Sequence, residues 1–209
     1  AVDLYLPTSD IDICVMNTKE GGGQAPDFAE HLELAHAIRN VKEFARRVNF
    51  IKARVPLVKI VARNSNVQCD ISFNRTNGPE NVPVIRKYLA DYPALRPLLM
   101  VLKCFLQQRS LNEVFSGGLG SYSVLLLVVS HLQMFSYNFP GSKANLGTAL
   151  QHFFHLYGRL FNYCLAGIRV KGGGCYYDKV EKYQTSPNDT LRFSIEDPND
   201  ETNELGRNS

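Results

Sequence analysis

The sequence predicts an α+β protein in two parts: a mixed strand-and-helix region over residues 1–80 and a mostly helical region over 81–209. Three observations lead there. Apolar and polar residues alternate through Asp10–Val15 and Val67–Phe73, the period of a half-buried strand. From Phe28 the apolar period lengthens to three and four residues, the period of an amphipathic helix. Past residue 80 only helical patterns recur, and that shift marks a boundary between two units near residue 80. With 209 residues, 44% apolar and 21% charged, the chain has an ordinary globular composition and argues against wholesale disorder or a fibrous repeat.

The elements follow in order. Ile11, Ile13 and Val15 alternate with Asp10, Asp12 and Cys14 in a first strand. Gly21-Gly22-Gly23 reads as a loop. Asp27 is the expected N-cap of a helix carrying Phe28, Leu32, Ala35, Ile38, Val41, Ala45 and Val48 on one face. Val55 to Val61 is a second strand, with Pro56 near its start. Val67 to Phe73 is a third, with Val67, Cys69, Ile71 and Phe73 on one face and Gln68, Asp70 and Ser72 on the other. Asn77-Gly78-Pro79 reads as a turn. Val84 to Leu89 gives a short helix, and Leu98 to Leu106 a longer one with Pro97 in its first turn. A very apolar helix follows from Ser121 to about Phe135, then one from Leu146 to Phe161. Gly172-Gly173-Gly174 reads as a turn, and Glu181 to Thr190 as loop.

Several function classes can be set aside. The longest apolar run, Val124 to Val129, is far short of the roughly 20 residues a membrane helix needs. Ala1-Val2-Asp3-Leu4 shows no basic or long apolar signal region. Five scattered cysteines without a C-x-x-C pair fit small core residues in a reducing compartment better than disulfides or zinc. His152 and His155 share a helix face but have no further His or Cys nearby to complete a metal site. A net charge of +3 permits an acidic partner such as nucleic acid without the strongly basic footprint of a dedicated binder.

The residues that carry chemistry begin with Asp10 and Asp12. Two apart on a strand, they point to one face, where two like charges are costly without a cation. Hard oxygen ligands suit Mg²⁺, which takes one or two carboxylates and completes its shell with phosphate oxygens and water. Asp70, central in its own strand, is a third candidate, and three carboxylates on adjacent strands would make a two-metal site for in-line displacement at phosphorus. The alternative is a solvated sheet face. Gly117-Gly118-Leu119-Gly120-Ser121-Tyr122 opens a helix, where phosphate is favoured by free N–H groups and the helix dipole. The alternative there is an interhelical turn with Ser121 as N-cap. Lys103, inside an apolar helix, either snorkels to the surface or turns inward to an anion.

Four segments in order then carry a resemblance: Leu6-Pro7-Thr8-Ser9-Asp10-Ile11-Asp12, Cys69-Asp70-Ile71-Ser72-Phe73-Asn74, Leu111 through Ser123, and Ser194-Ile195-Glu196-Asp197-Pro198. Together they closely resemble the non-canonical poly(A) polymerases of the DNA polymerase β-like nucleotidyltransferases, nearest to the branch that serves the TRAMP RNA-surveillance complex. The resemblance implies a nucleotidyltransferase palm and a helical central domain with the nucleotide in the cleft between them. It implies that Asp10, Asp12 and Asp70 bind metal, Mg²⁺ or alternatively Mn²⁺. It implies that Asn77 contacts the ribose, Lys103 and Ser121 the phosphates, and that Tyr122 stacks on the base. The stretch 194–207 matches a nucleotide recognition motif with Asp197, Asp200 and Asn203 nearest the base edge, and Arg207 as a tether to an acidic neighbour.

The activity so implied is template-independent addition of adenylate from ATP to an RNA 3′ end. The partners implied are a zinc-knuckle RNA-binding protein and an RNA helicase, with no membrane, and the location is the nucleus, with the nucleolus as a variant. The family's Gly-Ser motif, expected just before the first aspartate, is not present, and the chain stops inside the recognition motif; both are expected of a piece of a longer protein. Two other functions are weighed against adenylation. A terminal uridylyltransferase or mixed-tailing enzyme uses the same chemistry, but uridine-preferring relatives tend to carry histidine where this chain has Asn203. A catalytically silent scaffold would keep the fold without needing all three aspartates.

Overall fold

The computed structural model describes residues 2–16, 28–52, 56–74, 77–114, 117–138, 145–184 and 193–205. The chain divides into two compact units, one of residues 7–80 and one of residues 1–6 with 81–209.

The smaller unit is built on a four-stranded sheet of β1 (Ile11–Val15), β2 (Ala45–Ile51), β3 (Leu57–Ala62) and β4 (Gln68–Phe73), in the order β1-β4-β3-β2. β1 runs parallel to β4; the other pairs are antiparallel. Helix α1 (Phe28–Asn40) covers one face, burying Ala35 and Ile38 with Val58, Ile60, Cys69 and Ile71. The sequence pattern carries this helix on to Val48, but the helix ends at Asn40 and the chain turns into β2. Positions 41, 45 and 48 satisfy a helical spacing and, read as strand, also place Val48 and Phe50 on the core face. Pairing with β3, from Ala45↔Ala62 to Ile51↔Leu57, decides for the strand. Gly21–Gly23, Asp27 and Val55 lie outside the described residues.

The larger unit is helical at its centre. Helix α2 (Asn77–Asp91) begins where the sequence suggests a turn, because Gly78 and Pro79 sit in its first turn, where a missing N–H costs nothing. Helices α3 (Leu95–Gln108) and α4 (Ser121–Asn138) pack together, and α4 is apolar all round and buried from Val124 to Leu132. Helix α5 (Leu146–His155) is capped by Asn145, whose side chain accepts from the N–H groups of Gly147 and Thr148. The expected run to Phe161 continues as one wider turn over Leu156–Leu160.

Beyond the helices the sequence suggests no strands, and here the structure differs most. β5 (Ala166–Arg169), β6 (Cys175–Asp178), β7 (Ile195–Asp197) and β8 (Asp200–Leu205) form a second sheet, ordered β6-β5-β7-β8. A short helix, α6 (Lys179–Tyr183), replaces part of the expected loop. β5, β6 and β7 are three or four residues long, too short for alternation to register, and β8, though six, is polar until Leu205. Gly167 allows the close approach of β6, since a Cβ there would collide with the Tyr177 ring. The cysteines are not uniformly core residues: Cys69 is buried, but Cys104 and Cys175 are exposed. Among the described residues no helix is long and apolar enough to cross a membrane.

Candidate active site

One face of the first sheet gathers the carboxylates. Register sets Asp12 beside Asp70, and Asp70 beside Lys59, so Asp12, Asp70 and Lys59 form one row across β1, β4 and β3. Asp10, two residues before Asp12, shares their face. The opposite face carries Cys69, Ile71, Val58 and Ile60 into the core. Alternation therefore places the acids on β1 and β4: Cys69 and Ile71 of β4, with Val58 and Ile60 of β3, face α1, while Asp70 and Lys59 face the other side; the apolar residues of β1, Ile11, Ile13 and Val15, stay exposed.

Lys59 holds this cluster together. Its Nζ lies 3.2 Å from Asp10 Oδ2 and 3.5 Å from Asp70 Oδ2. Burial alone would lower its pKa, but the hydrogen bond to Asp10 and the charges of Asp70 and Asp10 outweigh it and raise the ammonium above its ordinary value. Burial pushes the Asp70 carboxyl up, and Asp10 and Asp12 add to this against the pull of Lys59. Asp12 is raised by burial and then by Asp10. Asp70 Oδ1 is buried with no hydrogen-bond partner. Among the described residues no three His, Cys, Asp or Glu side chains stand in ion-binding geometry, and the Lys59 ammonium is the cation between Asp10 and Asp70. The donor set fits a hard divalent cation: three carboxylates on one face, two of them raised, one with an orphaned buried oxygen. Sequence reasoning missed Lys59; the signal was a lysine interrupting the apolar strand Leu57–Ala62.

The larger unit carries a second constellation around Asp197, which is 4% exposed at the end of β7. Its Oδ2 accepts from Asn203 Nδ2 at 3.0 Å, and its Oδ1 from the Asn199 N–H at 3.0 Å and from the Tyr122 hydroxyl at 3.5 Å. Tyr122, in the first turn of α4, is half-buried, and burial raises its pKa well above the ordinary tyrosine value, Asp197 adding to it. Asp197 therefore joins the tyrosine to the β7–β8 hairpin. The sequence marks this stretch as a polar loop; the structure makes it a hairpin whose turn is fixed by side chains. Asp200 is used inside that turn, accepting from the Thr202 N–H at 3.0 Å and from Thr202 Oγ1 at 2.6 Å, and these bonds lower its pKa. Asn199 Nδ2 donates to Asn81 Oδ1 at 2.6 Å, tying the turn to α2.

Beneath the hairpin Glu196 is 2% exposed and takes Arg169 in a two-pronged pair, Nε–Oε1 at 2.7 Å and Nη2–Oε2 at 3.0 Å, with Lys182 Nζ at 2.6 Å from Oε2. Burial would raise its pKa, but the bonds from Arg169 and Lys182 bring it below the ordinary value. Arg207, expected to tether this region, lies outside the described residues. Lys103 turns inward and donates to the Leu4 carbonyl at 2.5 Å; burial lowers its pKa. Ser121 is exposed at the start of α4. Asn77 opens α2, and its side chain is outside the described set.

Comparison with known proteins meets this geometry in both units. Residues 1–90 match the central palm domain of mitochondrial-like poly(A) RNA polymerases, and residues 145–203 match the Cid1 family of poly(A) polymerases. The chain belongs to the non-canonical poly(A) polymerases. It is 39% identical to the poly(A) RNA polymerase cid14 of Schizosaccharomyces pombe over 99% of its own length and 30% of that protein's. It is 38% identical to poly(A) RNA polymerase protein 1 of Saccharomyces cerevisiae over all of its length and 33% of that protein's. The chain thus spans about a third of the curated relatives it matches. Among solved structures it is similar to the polymerase core of TRAMP, an RNA surveillance complex, with a TM-score of 0.81 and 37% identity over 99% of this chain and 65% of that one.

Proposed function

We propose that this chain is the catalytic part of a template-independent nucleotidyltransferase that adds adenylate from ATP to RNA 3′ ends. The observation that carries the reading is the row of Asp12, Asp70 and Lys59, with Asp10 on the same face. Three acids on one sheet face, Asp12 and Asp70 held above their ordinary pKa and Asp10 and Asp70 bridged by the Lys59 ammonium, form a seat for divalent metal and phosphate. Bound there, Mg²⁺ (or Mn²⁺) would make the RNA 3′-hydroxyl more acidic and neutralise charge on the leaving pyrophosphate.

The chain's own residues do the positioning, which carries most of phosphoryl-transfer catalysis. Asp10, Asp12 and Asp70 would hold the metal. The 3′-hydroxyl gives up its proton to solvent as its oxygen attacks the α-phosphorus in line, and the bond from that phosphorus to the bridging oxygen breaks, releasing pyrophosphate. Lys103 and Ser121 hold the triphosphate; Lys103 exchanges the Leu4 carbonyl for phosphate, and the anion restores the charge that burial disfavours. Tyr122 stacks on the base, Asn203 reads its edge, and Asn77 contacts the ribose. Asp197 orients both Tyr122 and Asn203. By likeness to the TRAMP polymerase core, the protein acts in nuclear RNA surveillance, with a zinc-knuckle protein and a helicase supplying RNA affinity.

The test is extension of a short RNA by the full-length protein, with the four NTPs in competition and with or without Mg²⁺. Adenylate tails that require Mg²⁺ are expected. Uridylate tails would replace the substrate, and no incorporation at all would leave a scaffold.

A further inference from the structure

The carboxylate row does not stop at Lys59. Asn49 on β2 is the register partner of Lys59, so Asp12, Asp70, Lys59 and Asn49 cross all four strands on one face. In the neighbouring row Gln68 pairs with Val61, and Val61 with Arg47. Gln68, Asn49 and Arg47 are exposed, and Val61 is the buried exception. The Asp12–Asn49 row, with Gln68 and Arg47 beside it, is therefore a polar strip from the aspartates to the far edge, bordered by Val61 on one side and by the apolar Leu57–Ile51 row on the other, and it ends in a concentration of positive charge. Lys42, Arg46, Arg47 and Arg63 gather where β2 meets β3, all exposed, with Glu43 the one acid among them. The Arg63 N–H donates to the Phe44 carbonyl at 3.1 Å and its Nε to the Lys42 carbonyl at 2.6 Å, which holds the group together. Phe44 is 54% exposed in the same turn.

We propose that this face is the track of the RNA acceptor strand, running from the aspartates across Gln68 and Asn49 to Arg47, with the Lys42–Arg63 rim holding upstream phosphates. The proposal rests on the reading of the aspartates as the site of transfer to a 3′-hydroxyl. Amide side chains can hydrogen-bond ribose and base edges without sequence preference. The arginines suit phosphate, and the exposed Phe44 ring suits a base, the combination that binds single strands. Three strand spacings put β2 about 14 Å from β1. At about 3.4 Å per stacked nucleotide, the rim meets the strand about four nucleotides from its 3′ end.

Length dependence tests this in the full-length protein. Arg47→Glu reverses one charge on the track. Lys52→Glu makes the same change just past β2 on the helix-covered side, where Lys52 lies over the Phe28 ring. Affinity for a single-stranded dodecamer is read by fluorescence anisotropy over a salt series, and extension is followed on the dodecamer and on a trinucleotide. Arg47→Glu is expected to weaken dodecamer binding by about two- to fivefold, the scale of one exposed ion pair lost, and to reduce the salt slope by about 0.7. Trinucleotide extension and the KM for ATP should stay at wild-type values, and Lys52→Glu should match wild type throughout. Unchanged dodecamer affinity in Arg47→Glu overturns the track, as does an equal loss in Lys52→Glu or an equal loss on the trinucleotide. The milder Arg47→Gln should lie between. A wild-type protein that extends neither acceptor would instead refute the transfer reading.

Discussion

Glu196 in the second sheet and Asp70 in the first are both acids in sheets, and the two sheets treat them in opposite ways. Glu196 is buried, and each of its oxygens meets a cation, so its pKa falls despite burial. Asp70 shares one lysine with Asp10, keeps a buried oxygen without a partner, and its pKa rises. The first arrangement is complete within the chain and ties β7 to β5 and α6. The second is a deficit of positive charge that a ligand from outside would fill. A protein tolerates such a deficit where function requires it, and the rest of the fold supports the cost.

Removing one acid from each sheet separates the roles. Asp12→Ala is expected to bring RNA extension below detection while apo thermal stability stays level or rises, because one of three mutually repelling carboxylates is gone. Activity is measured by incorporation and stability by melting without metal. Full activity in Asp12→Ala, or a large drop in its melting temperature, would erase the contrast between the sheets.

Glu196→Ala should do the reverse in its first effect. Breaking a buried pair costs about 3–5 kcal/mol, and the lower end is expected because Arg169 and Lys182 keep some access to water. Urea unfolding measures it. The two sheets should also differ in their response to acid. Glu196 has a depressed pKa, so its stabilisation is present above the unfolded value and is lost as pH falls through the folded one. Asp12 and Asp70 have raised pKa values, so they cost stability when ionised and that cost lifts as pH falls. Wild type minus Glu196→Ala should therefore shrink in acid, and wild type minus Asp12→Ala should move the other way.

The palm acids were legible because they lie on strands of five and six residues whose alternation is plain, and a regular period fixes which residues share a face. Lys59 was not, since a lysine in an apolar strand has no counterpart until register sets it beside Asp70. The second sheet escaped because its pieces are short and separated, β5 and β7 meeting from positions 166–169 and 195–197. Asp197 was named for its neighbourhood, but its use as the joint between Tyr122 and Asn203 depends on contacts 75 and 6 residues away along the chain. β2 was lost because Ala45 and Val48 also fit a helical spacing that extends α1, and only pairing with β3 decides for the strand.

A smaller effect is expected at Tyr122. Stacking on a base is worth about 1–3 kcal/mol and accepts any base. Tyr122→Ala should raise the apparent KM for every NTP about equally, and Tyr122→Phe should keep the stacking while losing the bond to Asp197. A loss confined to one NTP would mean that the ring reads the base rather than supports it.

The smallest expected effect concerns which base is chosen, and it tests whether the second constellation reads chemistry or merely holds a hairpin. Asp197 can only accept, so it fixes the Asn203 amide with Nδ2 turned toward the carboxylate. The carbonyl oxygen of Asn203 and its second N–H are then left, and the oxygen is the acceptor available to a base. Adenine offers its N6 amino group as a donor to such an acceptor; uracil presents carbonyl oxygens on either side of a single N–H. On the proposed reading this oxygen faces the base, so the arrangement would suit ATP and would discriminate by leaving an acceptor facing an acceptor when the base is wrong. Histidine at 203 would be bulkier beside a purine and could donate a ring N–H to a uracil carbonyl. Asn203→His should therefore move the ratio of kcat/KM for ATP and UTP toward UTP by about 1–2 kcal/mol, the scale of one buried hydrogen bond gained or lost. Asp197→Asn should blur the same ratio in a different way, because an amide at 197 can donate as well as accept and no longer fixes the Asn203 orientation. If Asn203→His left the ratio at its wild-type value while Asp197→Asn unfolded the hairpin, the constellation would be architecture, like Glu196 beneath it, and base choice would lie elsewhere.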